Sequence, residues 1–69
     1  MDTVRIEYMI LNGSSVIQNW TNAEGSVQND AQIYAPRALQ LKNRFSGESR
    51  QARVRIVSEQ SNRVVDIMS

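Results

Sequence analysis

The chain has 69 residues and a formal net charge of +1 at pH 7, with 41% apolar residues, 22% charged residues, three glycines and one proline. That composition fits a single small folded domain, 1–69, and excludes a disordered tail or a collagenous repeat. It holds neither cysteine nor histidine, which removes disulfides, thiolate metal sites and the commonest general base, and so excludes zinc fingers and Ser-His or Cys-His hydrolases.

No run approaches the roughly 18 apolar residues of a membrane span, and Met1-Asp2-Thr3 lacks the basic and apolar regions of a secretory signal. The expectations are a soluble, cytoplasmic chain with no membrane contact, no metal and no cofactor. A domain this short has little core to offset its ordering entropy, and without disulfides or a metal the remaining means of stabilisation is oligomerisation.

From Thr3 to Leu11 the residues alternate, with Val4, Ile6, Tyr8 and Ile10 on one side and Arg5, Glu7, Met9 and Leu11 on the other. A period of two rich in β-branched and aromatic residues predicts a strand with one buried face. Asn12-Gly13-Ser14-Ser15 tolerates positive φ, and Val16 to Thr21 resumes an extended pattern, so the pair is expected to form an antiparallel hairpin. Asn22 to Gly25 is punctuation.

Val27, Ala31, Tyr34, Ala38, Leu41 and Phe45 then recur every three or four residues and predict one amphipathic helix. Its start is ambiguous, because Thr21-x-x-Glu24 matches a capping box and Ser26 is an equally good N-cap. Pro36 either kinks a helix over 27–45 or stands at the first position of a shorter one, and the stripe running through it in register favours the kink. Ser46-Gly47 ends the helix, with Lys42 and Arg44 in the last turn.

Arg53 to Val57 alternates again, Ser58 to Asn62 forms a turn, and Arg63 to Met68 is a further strand with Val65 and Ile67 on one side. The predicted fold class is α+β: a four-stranded antiparallel sheet with one amphipathic helix packed on one face, in the order ββαββ. Val4, Ile6, Tyr8, Ile10, Val54, Ile56, Val65 and Ile67 are expected to meet the helix, and Trp20, Tyr34 and Phe45 to join the core.

One helix covers one face, so the other face carries the functional interest. Alternation assigns it Arg5, Glu7, Met9, Leu11, Arg53, Arg55, Val57, Val64, Asp66 and Met68. Two readings compete for it. In one it is a solvated face whose charges pair across strands, Glu7 or Asp66 with Arg53 or Arg55; in the other, which the shortness of the chain favours, Met9, Leu11, Val57, Val64 and Met68, with Glu7 and Asp66, form a protein interface that makes a two-fold homodimer or receives a protein partner.

Charge is uneven along the chain. Residues 1–35 hold one basic and four acidic residues, a net −3, whereas residues 36–69 hold seven basic and three acidic, a net +4. Arg44, Arg50, Arg53 and Arg55, with Arg5, form the candidate nucleic-acid contacts of an alternative reading. The carboxylates Glu7, Glu24, Asp30, Glu48, Glu59 and Asp66 show no paired or metal-ligating spacing, and Ser14 and Ser15 have no base to activate them, so no catalytic residue is expected. The leading expectation is a non-catalytic protein-binding module, a self-associating adaptor or stoichiometric inhibitor.

Overall fold

The structure is a computed structural model that describes residues 2–68. Its elements are β1 (Thr3–Asn12), β2 (Ser15–Gln28), α1 (Ala31–Phe45), β3 (Gln51–Ser58) and β4 (Val64–Met68). They form the four-stranded antiparallel sheet expected, in the spatial order β2-β1-β3-β4, with the single helix packed on one face. Because β2 and β3 both run antiparallel to β1, they are parallel to each other and lie on its two sides. The chain must therefore cross the sheet between them, and α1 is that crossover.

The hairpin turn is where Asn12-Gly13 predicts it, with Gly13 at φ 62°, a conformation that a glycine adopts without strain. Beyond the turn, the structure corrects the expected boundaries. β2 does not stop at Thr21 but continues through the polar segment to Gln28, and Val27 lies in this strand, opposite Val4, rather than in the helix. The full length of β1 offers pairing groups that must be satisfied, and the polar residues after Thr21 answer them at the cost of two of the four register shifts in this pair. Val27 is buried all the same, from the sheet side.

The helix accordingly begins at Ala31, with Asp30 as its N-cap. Asp30 has extended backbone angles, and its Oδ1 accepts the Gln32 N–H at 3.0 Å, which satisfies one of the orphan donors of the first turn. Pro36 falls inside the helix, which runs through it to Phe45. The stop comes from Ser46, whose N–H and hydroxyl both donate to the Lys42 carbonyl at 3.1 and 2.7 Å.

The core lies between helix and sheet. Val4, Ile6, Val54 and Ile56 from the two central strands meet Val27, Tyr34 and Ala38, with Tyr8, Ile33, Leu41 and Met68 packed around them. Phe45 stacks on Tyr8, ring centroids 4.6 Å apart and 2° from parallel.

The fourth strand reverses the expected faces. Ile67 pairs with Arg55, Asp66 with Ile56 and Met68 with Val54, so Asp66 and Met68 share the helix side and Ile67 the open side. Val54 and Ile56 are fixed inside by their pairing with β1, and β4 takes its frame from them; a register shift between Ile56 and Val57 leaves Val65 without a paired residue. Val65 and Ile67 are 45% and 63% exposed, and neither joins the core.

This division has a direct consequence for stability. Ile56→Ala empties a fully buried position and is expected to lower the unfolding free energy by about 2–5 kcal/mol, whereas Ile67→Ala is expected to change it by less than about 0.5 kcal/mol. Urea denaturation at low micromolar concentration measures both, and equal losses would place Ile67 in the core.

Candidate functional site

The open face of the sheet is organised around Glu7. Its partner across the β1–β3 ladder is Arg55, and Arg5 stands two residues away on the same side of β1. Arg5 Nε donates to Glu7 Oε2 at 2.9 Å and Arg55 Nε donates to Oε1 at 2.6 Å. Arg5 Nη1 also donates to Asn62 Oδ1 at 3.0 Å. The expected cross-strand pairing of Glu7 with Arg55 is therefore present.

The Glu7 side chain is only 12% exposed. Burial pushes its carboxyl upward, and the hydrogen bonds and charges of Arg5 and Arg55 outweigh that and hold it below the ordinary glutamate value. Asn62 is placed for its role by the β3–β4 turn, where it takes φ 58° and donates its N–H to the Ser58 carbonyl. Left-handed backbone is tolerated by asparagine more readily than by most residues.

Trp20 belongs to this face and not to the core. Between the pairs Tyr8↔Thr21 and Ile10↔Gln18, two residues of β2, Asn19 and Trp20, stand against the single residue Met9. Asn19 holds this irregularity, its Oδ1 accepting the Trp20 N–H and its carbonyl accepting the Thr21 hydroxyl. The Arg55 guanidinium lies over the indole at 4.1 Å from the ring centroid, a cation–π contact. Asn62, Arg5, Glu7, Arg55 and Trp20 thus form one chain of polar contacts across three strands and a turn. Alternation along β1 and β3 points to its charged members, but nothing in the sequence marks the extra residue that brings in Trp20.

The expected protein interface is not assembled on one exposed surface. Leu11 and Val57 are buried, Met9 is half-buried, and both oxygens of Glu7 are engaged. Met68 packs against the core, and Asp66 turns to the helix, where its Oδ2 accepts the Tyr34 hydroxyl at 3.2 Å. Burial, then the charge and hydrogen bond of Asp66, raise the Tyr34 phenol above its usual value. Of the expected apolar residues, Val64 remains well exposed, at 46%, and it adjoins Val65 and Ile67 on β4.

The candidate nucleic-acid contacts are also divided. Arg5 and Arg55 are held by Glu7, Arg53 is exposed on the same face opposite Met9, and Arg50 lies just before β3. Arg44 belongs to the helix on the other side, 5.6 Å from the Phe45 ring centroid. Between α1 and β2 runs an open groove of about 450 Å³ whose lining includes Ile6, Leu41 and Arg44, and where Glu24 pairs with Arg37. Among the described residues no group of three or more acidic side chains is placed to hold a metal ion, and no helix is long and apolar enough to cross a membrane.

The Glu7 cluster carries a pH signature. A carboxyl held below its unfolded value contributes stability above the ordinary carboxylate range and loses it as pH falls through the lowered value. Glu7→Gln is expected to cost about 1–2 kcal/mol at pH 7, with the difference from wild type closing as pH falls below 4. Urea titrations at pH 7 and pH 3, followed by the fluorescence of the single tryptophan, check this. A difference that persists at pH 3 would mean that shape and not charge is what Glu7 supplies.

Compared with protein-family models, with curated proteins and with solved structures, the chain matches none of them.

Proposed function

We propose that the chain is a non-catalytic protein-binding module that acts in the cytosol by surface contact and self-associates, as an adaptor or stoichiometric inhibitor. The observation that carries this reading is the fourth strand. Val64-Val65-Asp66-Ile67-Met68 is the most apolar strand sequence of the chain, yet every residue before Met68 is exposed. Three neighbouring aliphatic side chains, each about half exposed or more, form the kind of patch that proteins cover with a partner. The other sheet edge, β2, also exposes two aliphatic residues, Val16 and Ile17 next to the hairpin turn, but the rest of it is largely Ser, Gln, Asn, Thr and Glu, which suits solvent.

The polar clusters support the non-catalytic part. A general base works best with a pKa near neutrality, whereas Glu7 is shifted down and Tyr34 up, each away from pH 7. Both are engaged by internal partners.

Light scattering across the micromolar range tests self-association. The weight-average mass is expected to rise from the 7.8 kDa of one chain toward twice that, and Ile67→Glu is expected to shift the transition to at least about tenfold higher concentration. A one-chain mass throughout would overturn the dimer.

A second reading, a nucleic-acid-binding protein, is favoured by one observation: Arg53 is free to solvent beside the Arg55–Trp20 pair, so cations and an aromatic ring share the open face. It expects a gel shift with single-stranded nucleic acid that weakens steeply between 50 and 200 mM salt, by an estimated order of magnitude or more. Loss of that shift in Arg53→Ala/Arg55→Ala would support this reading, and no shift at low salt would remove it.

A further inference from the structure

Resting on the self-association reading, we infer that the occupant of β4 is the β4 strand of a second copy, paired antiparallel across a two-fold axis. The two sheets then become one of eight strands. The argument begins with the edges available. A four-stranded open sheet has two, here β2 and β4. β2 is interrupted by four register shifts and carries Ser26 in left-handed backbone at φ 55°; such irregularities twist an edge out of the flat ladder that another strand needs. β4 has its one irregularity at its beginning, and Asp66 to Met68 follow β3 in unbroken register.

Head-to-tail association would need β4 of one copy on β2 of the next and would propagate as an open filament, whereas pairing like edges closes after two copies. Blunting of β2 leaves the closed arrangement. Charge points the same way. The open faces each carry Arg5, Arg53 and Arg55 against Glu7 alone among the β1 and β3 residues there, and Glu7 is already doubly bonded, so two open faces laid together repel. Along β4 the single charge is Asp66, whose Oδ2 accepts the Tyr34 hydroxyl and whose Oδ1 accepts the Ile67 N–H at 2.9 Å; a strand that pairs at Ile67 takes that donor over from the carboxylate.

The axis can also be placed. In a two-fold antiparallel pair the residue on the axis faces its own copy. An axis at Asp66 sets two carboxylates opposite each other, which is unfavourable. An axis at Ile67 sets Ile67 against Ile67 and Asp66 against Met68 of the second copy. A five-residue edge buries less than the roughly 1,200 Å² of a stable interface, so the dimer forms and separates readily and is best detected by trapping it.

The absence of cysteine from the chain makes that trap unambiguous. The full chain with Ile67→Cys, oxidised by copper phenanthroline at about 100 µM, is expected to give a disulfide-linked dimer, because directly opposed antiparallel residues fall within disulfide reach. The rate is expected to exceed by about tenfold those of Ile17→Cys on β2 and Met9→Cys on the open face. If Ile67→Cys alters the circular dichroism spectrum, a mixture of Asp66→Cys and Met68→Cys chains, whose thiols this axis sets opposite each other, provides the second β4 probe. Fastest linkage at Ile17 or Met9, with light scattering still showing a dimer, would overturn β4 pairing while leaving self-association intact. A wild-type monomer with equally slow linkage at all positions would overturn both.

Discussion

The pairing of β1 with β3 is the constraint on which the rest of the molecule depends. Its register runs without interruption from Val4↔Ser58 to Leu11↔Gln51, joining segments about fifty residues apart in the chain. It places Val4, Ile6, Val54 and Ile56 together beneath the helix, all essentially inaccessible to water. Because side chains alternate across a strand, the same register commits Arg5, Glu7, Arg53 and Arg55 to the opposite face. Core and polar network are two sides of one ladder.

The neighbouring strands accommodate that ladder differently. β2 bends around β1 through repeated irregularities, and one of them delivers Trp20 to Arg55 while Val27, farther along, still reaches the core. β4 adopts the frame of β3, and this turns Asp66 toward Tyr34 and leaves Ile67 in solvent. The turn before it is tied to the far end of the sheet: the Glu59 N–H donates to the Thr3 carbonyl, and Glu59 Oε1 accepts the Ser26 N–H. The central pair thus dictates the geometry, and the outer strands absorb the mismatch.

These adjustments determine which surface is available for function. A half-apolar, half-charged face suggests a broad contact patch, but the cluster around Glu7 consumes the charges and Leu11 and Val57 are closed to solvent. Of the exposed aliphatic residues, three, Val64, Val65 and Ile67, fall together on the short strand at the sheet edge. An edge combines unsatisfied backbone groups with aliphatic side chains, and both are relieved by a strand from outside. The proposed role as a contact module rests on that combination.

The order ββαββ, the first hairpin, the helix stripe from Ala31 to Phe45 and the Glu7–Arg55 pairing are legible in the sequence. Each depends on local periodicity or on turn chemistry such as Asn12-Gly13, which acts within a few residues. The length of β2 is not, because Asn22 to Ser26 has no strong preference of its own, and its extended state is imposed by the unpaired groups of β1. The face of Trp20 is set by one extra residue in β2, and the faces of Val65, Asp66, Ile67 and Met68 by a one-residue shift against β3. Period-two alternation states only that neighbouring residues point apart. Which of the two sides becomes the inside is decided by the strand alongside, so a single inserted residue exchanges core for surface, and only the tertiary structure contains that information.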